Sequence, residues 1–409
     1  MPKLTRRHML AATAAGAASS LIAPRETQAA CVPAHQPIEG DWPALEIAHG
    51  PSLQMPTPDG ITIVCHTTRP ALVWVEYGTG DKLDRKAVPS AHGVVNPFAL
   101  NHVIRLSDLQ PGTRYRYRIH AKTFLEYELA NGRRWAHRVR YGQEIATEPR
   151  SFTTLDPAAA NYAFYIVQDI HEHVQRFDEM LNVVEWDRTA FIALNGDMIN
   201  DFMRPDQNFT GFLDLCVKRF AMETPIVYAR GNHDIRGHYA PTLSEYMALH
   251  DGRAYYAFDH GPVHYIVLDS GEDKNDGHEY YGGLADFDRY IDEQARWLKQ
   301  HLASEAAQRA PFRVAIFHIP PYNSDWYGEV RVRRKWIPIL NEGNVNLALC
   351  GHQHELILLN PGTRDNNFPI LIGDMNTIQR VDVSPQALNI TVIRHSGKVE
   401  KELSITRRS

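Results

Sequence analysis

The chain has 409 residues, 22% of them charged and 44% hydrophobic, and carries a formal net charge of −5. That length allows a large core and more than one domain, and the composition is that of an ordinary globular protein. The mild acidity gives no ground for a nucleic-acid binder. Four cysteines, at positions 31, 65, 216 and 350, form no CxxC pair and so imply neither a disulfide framework nor a thiolate zinc site.

Residues 2–7 are basic, 9–23 are small and apolar, Pro24-Arg25 closes the stretch, and small residues fill 27–30. That is the order of an export signal, and the span lacks the roughly twenty strongly apolar residues of a membrane anchor. Thr5-Arg6-Arg7-His8-Met9-Leu10 resembles the twin-arginine motif, with His8-Met9 departing from the preferred residue-plus-Phe pair. A general secretory signal is the alternative. Either way the expectation is bacterial-type export to a periplasmic or secreted location, with the export machinery as a partner and no stable membrane anchor.

From about 45 to 155 the pattern has period two. Residues 61–68 and 71–77 alternate on either side of an Arg69-Pro70 break, a turn follows at 78–81, and 102–106 and 115–119 flank Leu109-Gln110-Pro111-Gly112-Thr113. Tyr115 and Tyr117 share one face and Arg116 and Arg118 the other, as a sheet with one wet face requires. The Arg-rich stretch 133–150 reads as a hairpin extension with a solvated charged face. Residues 155–160 form a short linker.

From 161 to 395 short apolar runs alternate with helical patterns, which predicts an α/β domain. Helices are expected after His171 and Asp201 and over 285–305, and a hairpin at 254–268. A polar loop at 269–288 should sit at the rim of a site, and residues 388–405, reaching into the tail at 396–409, read as a closing hairpin. Five runs end in groups able to grip a metal: Asp169 and His171; Asp197; Asn232 with His233 beside it; His318; and His352 and His354. Ligands in α/β folds gather at the carboxyl ends of strands. Two Asp, one Asn and four His exceed what one ion needs, and hard oxygen with imidazole suits Mn, Fe or Zn. The pattern reads as a two-metal hydrolytic site.

Asp169-x-His171, Gly196-Asp197-x-x-Asn200, Gly231-Asn232-His233-Asp234, His318 and Gly351-His352-x-His354, in this order, resemble the calcineurin-like metallophosphoesterase superfamily. The Leu109–Tyr117 corner resembles a fibronectin type III-like sandwich, and that domain ahead of the catalytic one resembles the layout of purple acid phosphatases. The resemblance implies an all-β fibronectin type III-like sandwich followed by an α/β metallophosphoesterase domain of two mixed β-sheets flanked by helices. It implies two divalent or mixed-valence ions (Fe, Mn or Zn), one held by Asp169, His171, Asp197 and His354, the other by Asp197, Asn232, His318 and His352. Asp197 would bridge them, since cations about 3.5–4 Å apart need a shared anion.

His233 is implied as the catalytic group outside the metals that stabilises the transition state or protonates the leaving oxygen, with orientation of a ligand as the alternative. Asn200 is a candidate for phosphate contact or for helix capping. Arg236, His238 and Tyr322 are further substrate-binding candidates, and Asp234 is expected to orient a ligand. His173 is read as a rim residue and His264 as structural. Purple enzymes have Gly at the position of His171 and a ligating Tyr at that of Asn200, so their colour should be absent here. The expected activity is hydrolysis of small phosphate esters by metal-bound hydroxide, monoesters first. The alternative is a phosphodiesterase acting on nucleotides or other small diesters, and a remote one is a non-catalytic extracytoplasmic binding protein.

Overall fold

A computed structural model describes residues 41–129 and 137–407. The export segment, Cys31 and the tip of the 133–150 extension lie outside the described residues. Two large sheets organise the molecule. The nine-stranded one has the order Val399–Thr406, Ala387–Arg394, Thr377–Val383, Tyr162–Val167, Thr189–Asn195, Ile226–Ala229, Ile47–Thr57, Gly60–Thr67, Asn101–Leu106. The six-stranded one runs Tyr256–His260, Val263–Val267, Phe312–Ile316, Leu347–Cys350, Ile370–Ile372, Ile357–Leu359. The strands nearest the site are mutually parallel in each sheet: 162–167, 189–195 and 226–229 in the first, and 263–267, 312–316 and 347–350 in the second.

Their sequences explain the stacking. Strands 162–167 and 263–267 are apolar apart from His264 and buried on both faces, as parallel central strands require. Phe164, Phe191, Tyr265, Val314 and Leu349 are fully buried between the sheets. Each such side chain contributes about 1.5–3 kcal/mol of transfer free energy. The outer face of the first sheet is covered by Phe177, Met180, Phe212 and Cys216 from helices after His171 and Asp201. The outer face of the second is covered by helices Phe287–Leu302 and Tyr327–Glu342, through Ile291, Leu298, Trp336 and Leu340. The result is the expected pair of mixed sheets flanked by helices.

The N-terminal β-sandwich shares the first sheet. Strands 47–57, 60–67 and 101–106 extend it, joined to 226–229 through the Gln54–Ile226 register, and they pack on a second sheet of Arg150–Thr153, Arg114–Leu129, Ala71–Gly78 and Arg85–Ala87. Tyr115 and Tyr117 point inward, while Arg116 and Arg118 pair outside with Asp81 and Glu76. The Tyr115 hydroxyl accepts the Gln110 amide and so pins the Pro111-Gly112 corner. Strand Ile47–Thr57 went unread in the sequence because Gly50, Pro51 and Pro56 mask its pattern.

The extension is a long hairpin, Arg114–Leu129 against His137–Ala146, whose charges pair across it: Arg140 with Glu126 at 2.5 Å and Lys122 with Glu144 at 3.2 Å. Those pairs fit the solvated face. At the linker, the Asp156 amide donates to His260 Nδ1 and its carbonyl accepts the Gly261 amide, docking 155–160 onto the hairpin at 254–268. Among the described residues no helix is long and apolar enough to cross a membrane.

Candidate metal centre

All five motif segments leave the carboxyl ends of parallel strands and meet at one edge of the two sheets. The motif glycines are set by close approach. A Cβ on Gly231 would lie 2.3 Å from the Asp197 amide nitrogen and from its carboxylate, one on Gly196 would lie 2.6 Å from His318 Nδ1, and one on Gly351 2.9 Å from Asp169 Oδ2. Asp169, His171, Asp197, His352 and His354 all have positive φ, between 48° and 73°. Non-glycine residues in that region carry strain that surrounding structure must hold, and such residues cluster at functional sites. Backbone bonds hold it here: Asp169 N–H to Gly196 O, His171 N–H to Asp197 O, and Gly351 N–H to His318 O, all at 2.9–3.0 Å.

Two candidate ligand clusters result. Asp169, His171 and His354 form one, and Asp197, His318 and His352 the other, with the ligand atoms inside each within 4.8 Å of one another. In the first, His171 Nε2 and His354 Nε2 face each other at 3.1 Å, and His354 Nε2 lies 3.4 Å from Asp169 Oδ1. In the second, His318 Nε2 lies 3.0 Å from Asp197 Oδ2. Asp197 also reaches His171, at 3.9 Å, and Asp169 reaches His318, at 3.8 Å, so the clusters abut. His318 Nδ1 donates to the Asn195 carbonyl at 2.7 Å, which fixes the tautomer and aims Nε2 inward.

The donor set fits a pair of cations. Asn232 is 1% exposed, yet neither atom of its amide has a hydrogen-bond partner, and the same holds for His352 Nε2. Buried polar atoms left in that state cost free energy unless a ligand takes them, and His352 lies in one cluster with Asp197. The electrostatics point the same way. Burial opposes charge on both Asp197 and His318, but each more than reverses this for the other: Asp197 is held well below the usual carboxylate range and His318 pushed up to about 10. A proton thus supplies positive charge where a metal would supply more. Burial, then His318, pushes His352 down to about 4, and burial lowers His171, so both imidazoles are available as neutral donors. Asp169 raises His354 by hydrogen bonding.

Asp234 lies beneath the site. Its carboxylate accepts the amides of Gly231 and Asp197 at 2.9 and 3.0 Å and that of Met198 at 3.0 Å, tying the Gly-Asn-His-Asp turn to the turn that carries Asp197. Burial and the Asp197 charge push it up to about 6. His233 is half-buried; its ring packs 4.9 Å from that of His171, its amide donates to Asp197, and its Nδ1 donates to the Asn200 carbonyl at 2.6 Å. The side chain of Asn200 donates to Glu172 at 2.9 Å. The following helical run begins only at Gln207, so Asn200 is not its cap.

The remaining candidates separate. Arg236 reaches His233 Nε2 with Nη1 at 3.3 Å, while Glu272 grips its other side in two bonds and Asp273 in a third. His238 is exposed and packs on Tyr239. Tyr322 is 3% exposed and belongs to the core between the second sheet and its helices. His173 is exposed beside Glu172, and His264 is buried between Asp259 and His301. Glu272 and Asp273 escaped the sequence reading, although the 269–288 loop was placed at the rim, because nothing in a polar loop says which acid meets Arg236. Gln353 and Glu329 escaped it too.

Residues 163–356 match the model of the calcineurin-like phosphoesterase family. The chain carries a calcineurin-like phosphoesterase domain. The β-sandwich ahead of it gives the purple-acid-phosphatase-like architecture. Purple acid phosphatase 23 of Arabidopsis thaliana is 24% identical over 324 residues, covering 69% of this chain and 64% of that protein. Acid phosphatase type 7 of Mus musculus is 25% identical over 286 residues, covering 66% and 57%. The chain thus spans less than two thirds of the length of these relatives. The fold is shared with a purple acid phosphatase from yellow lupin (Lupinus luteus) seeds, at a TM-score of 0.63 and 15% identity over 87% of this chain and 74% of that one. It is shared also with PhoD, at 0.56 and 14% over 88% and 92%. The phosphoesterase domain here has the metal-binding active-site architecture typical of metallophosphoesterase hydrolases.

Proposed function

We propose that the protein hydrolyses phosphate monoesters at a dinuclear metal centre. The observation that carries this is the pair of abutting Asp/His clusters with the buried, unpartnered Asn232 beside them. Asp169, His171, Asp197 and His354 would hold one ion, and Asp197, Asn232, His318 and His352 the other, with Asp197 common to both. Such ions supply charge that grips phosphoryl oxygens and makes water nucleophilic near neutral pH.

The chain's own groups do the rest. Two carboxylates against a pair of cations leave a surplus of positive charge for an anionic ester. The backbone bonds around the strained ligand residues hold the donors in place before substrate arrives. His233 donates to Asn200 from Nδ1 and accepts from Arg236 at Nε2, so Nε2 stands at the edge of the first cluster and, once protonated in place of the Arg236 contact, can pass a proton to the leaving oxygen. Donors at that edge favour a monoester, whose extra phosphate oxygens need partners, over a diester.

Metal analysis with turnover of 4-nitrophenyl phosphate beside its bis ester tests the reading. The expected result is two ions per chain and faster monoester hydrolysis, with D197N losing both ions and at least a hundredfold in rate. A metal-loaded protein inert toward both esters would refute it.

A further inference from the structure

The mouth of the candidate centre carries a tryptophan that nothing in the metal chemistry requires. Trp326 is 57% exposed, and its ring stands edge-on to that of His352, 5.9 Å away and inclined at 78°. Among the described residues His352 is its one ring contact. The loop that presents it is held firmly. The Trp326 amide donates to Ser324 Oγ at 3.1 Å, the Ser324 amide donates to the buried Glu329 at 2.6 Å, and Asn323 Nδ2 donates to Gln353 Oε1 at 3.1 Å. Gln353 in turn donates to Glu329 and lies between His352 and His354 in sequence. The backbone that presents the indole is therefore tied to the loop that carries two candidate metal ligands. The exposed Tyr280, by contrast, already has the cations of Arg236 and Lys274 over its ring, at 5.4 and 5.7 Å.

A large apolar ring kept in water beside a charged site gives up burial it could have had, and an exposed aromatic so fixed is a preorganised contact surface. We propose that Trp326 is a specificity-determining residue that stacks on the planar aromatic group of a phosphoester, selecting aryl or nucleoside esters over aliphatic ones. It holds only for a protein that binds phosphoesters at the two clusters. Its occupant is set by the neighbourhood: the phosphoryl group goes to the cations, and an aromatic ester group long enough to reach from the leaving oxygen across to the His352 side of the centre comes within reach of the indole face. Stacking of this kind amounts to about tenfold in affinity.

The test is equilibrium binding of phenylphosphonate and methylphosphonate, inert anions with the same head group, to metal-loaded protein by calorimetry. The wild type should bind phenylphosphonate about tenfold more tightly. W326A should bring the two affinities to within about twofold of each other by weakening phenylphosphonate alone, and W326F should keep most of the preference. Metal content of each variant reports on the integrity of the His352 loop. Equal binding of both anions by the wild type, or an undiminished preference in W326A, overturns the inference alone. Failure of the metal-loaded wild type to bind either anion overturns the phosphoester reading together with it.

Discussion

At the scale of single residues, the site is a set of donors waiting for positive charge. Asp197 and His318 illustrate it: each is driven to its charged form by the other in spite of full burial. His233 differs, because its ring nitrogens meet Asn200 and Arg236 and its ring borders His171. Its substitution should therefore separate binding of metal from turnover. H233N is expected to retain both ions and lose roughly a hundredfold in kcat on esters with poor leaving groups, and less on activated ones. Metal content with a leaving-group series checks this; a uniform loss accompanied by metal release would make His233 a scaffold residue. Much of this was legible in the chain. Seven ligand candidates follow apolar runs, and six of them gather in the two clusters. Arg236 shows what was not: its position after the Gly-Asn-His-Asp turn marked it as near the site, but its capture by Glu272 and Asp273 joins segments some forty residues apart.

At the scale of elements, helix Tyr327–Glu342 acts on the site through its first turn. Glu329 is buried and accepts from the Ser324 amide and the Gln353 side chain, so it braces the loops bearing Trp326 and the last two histidines. Removing the carboxylate leaves both donors without a partner, at a cost of about 1–3 kcal/mol. E329A should lower the melting temperature and weaken metal binding roughly tenfold, as loss of groups that orient ligands does elsewhere. E329Q, which can still accept the Ser324 amide, should recover part of both. Unchanged metal affinity in a destabilised E329A would confine its role to folding. Tyr322, in the same stretch, shows how a short motif misleads. It follows His318 closely, yet the chain turns it into the helix–sheet core, and the first exposed aromatic is Trp326.

At the scale of the whole molecule, the sandwich and the α/β layers are stitched together by polar groups with little exposure. His260 accepts the Asp156 amide at 2.9 Å and packs against Tyr162, and its burial pushes it down to about 4 from 6.5. His102, within the sandwich, is pushed down to about 3 by burial and then by His66. Both folded values lie below the unfolded one. The unfolded chain therefore takes up protons first as pH falls, and the stability these groups contribute is complete above about pH 6.5 and disappears as pH falls through 4. For His260 the loss is on the order of 3 kcal/mol at most. Urea unfolding between pH 8 and 4.5 should show stability declining below pH 6.5, and H260Q at equal metal loading should flatten part of that decline. A parallel pH curve for the variant would place the acid sensitivity elsewhere.

The sequence alone determined which residues could ligate and which strands deliver them, because both are local: an apolar run, a turn glycine and a polar side chain within a few positions. It also determined the period-two sandwich and the alternating α/β order. Only the tertiary structure decided that strand 47–57 carries the first sheet into the sandwich, that Glu272 and Asp273 hold Arg236, and that Trp326 stands in solvent at the mouth beside His352. Those outcomes depend on contacts between distant segments. Their free energy comes from packing and charge pairing across the fold, and no short stretch of chain encodes it.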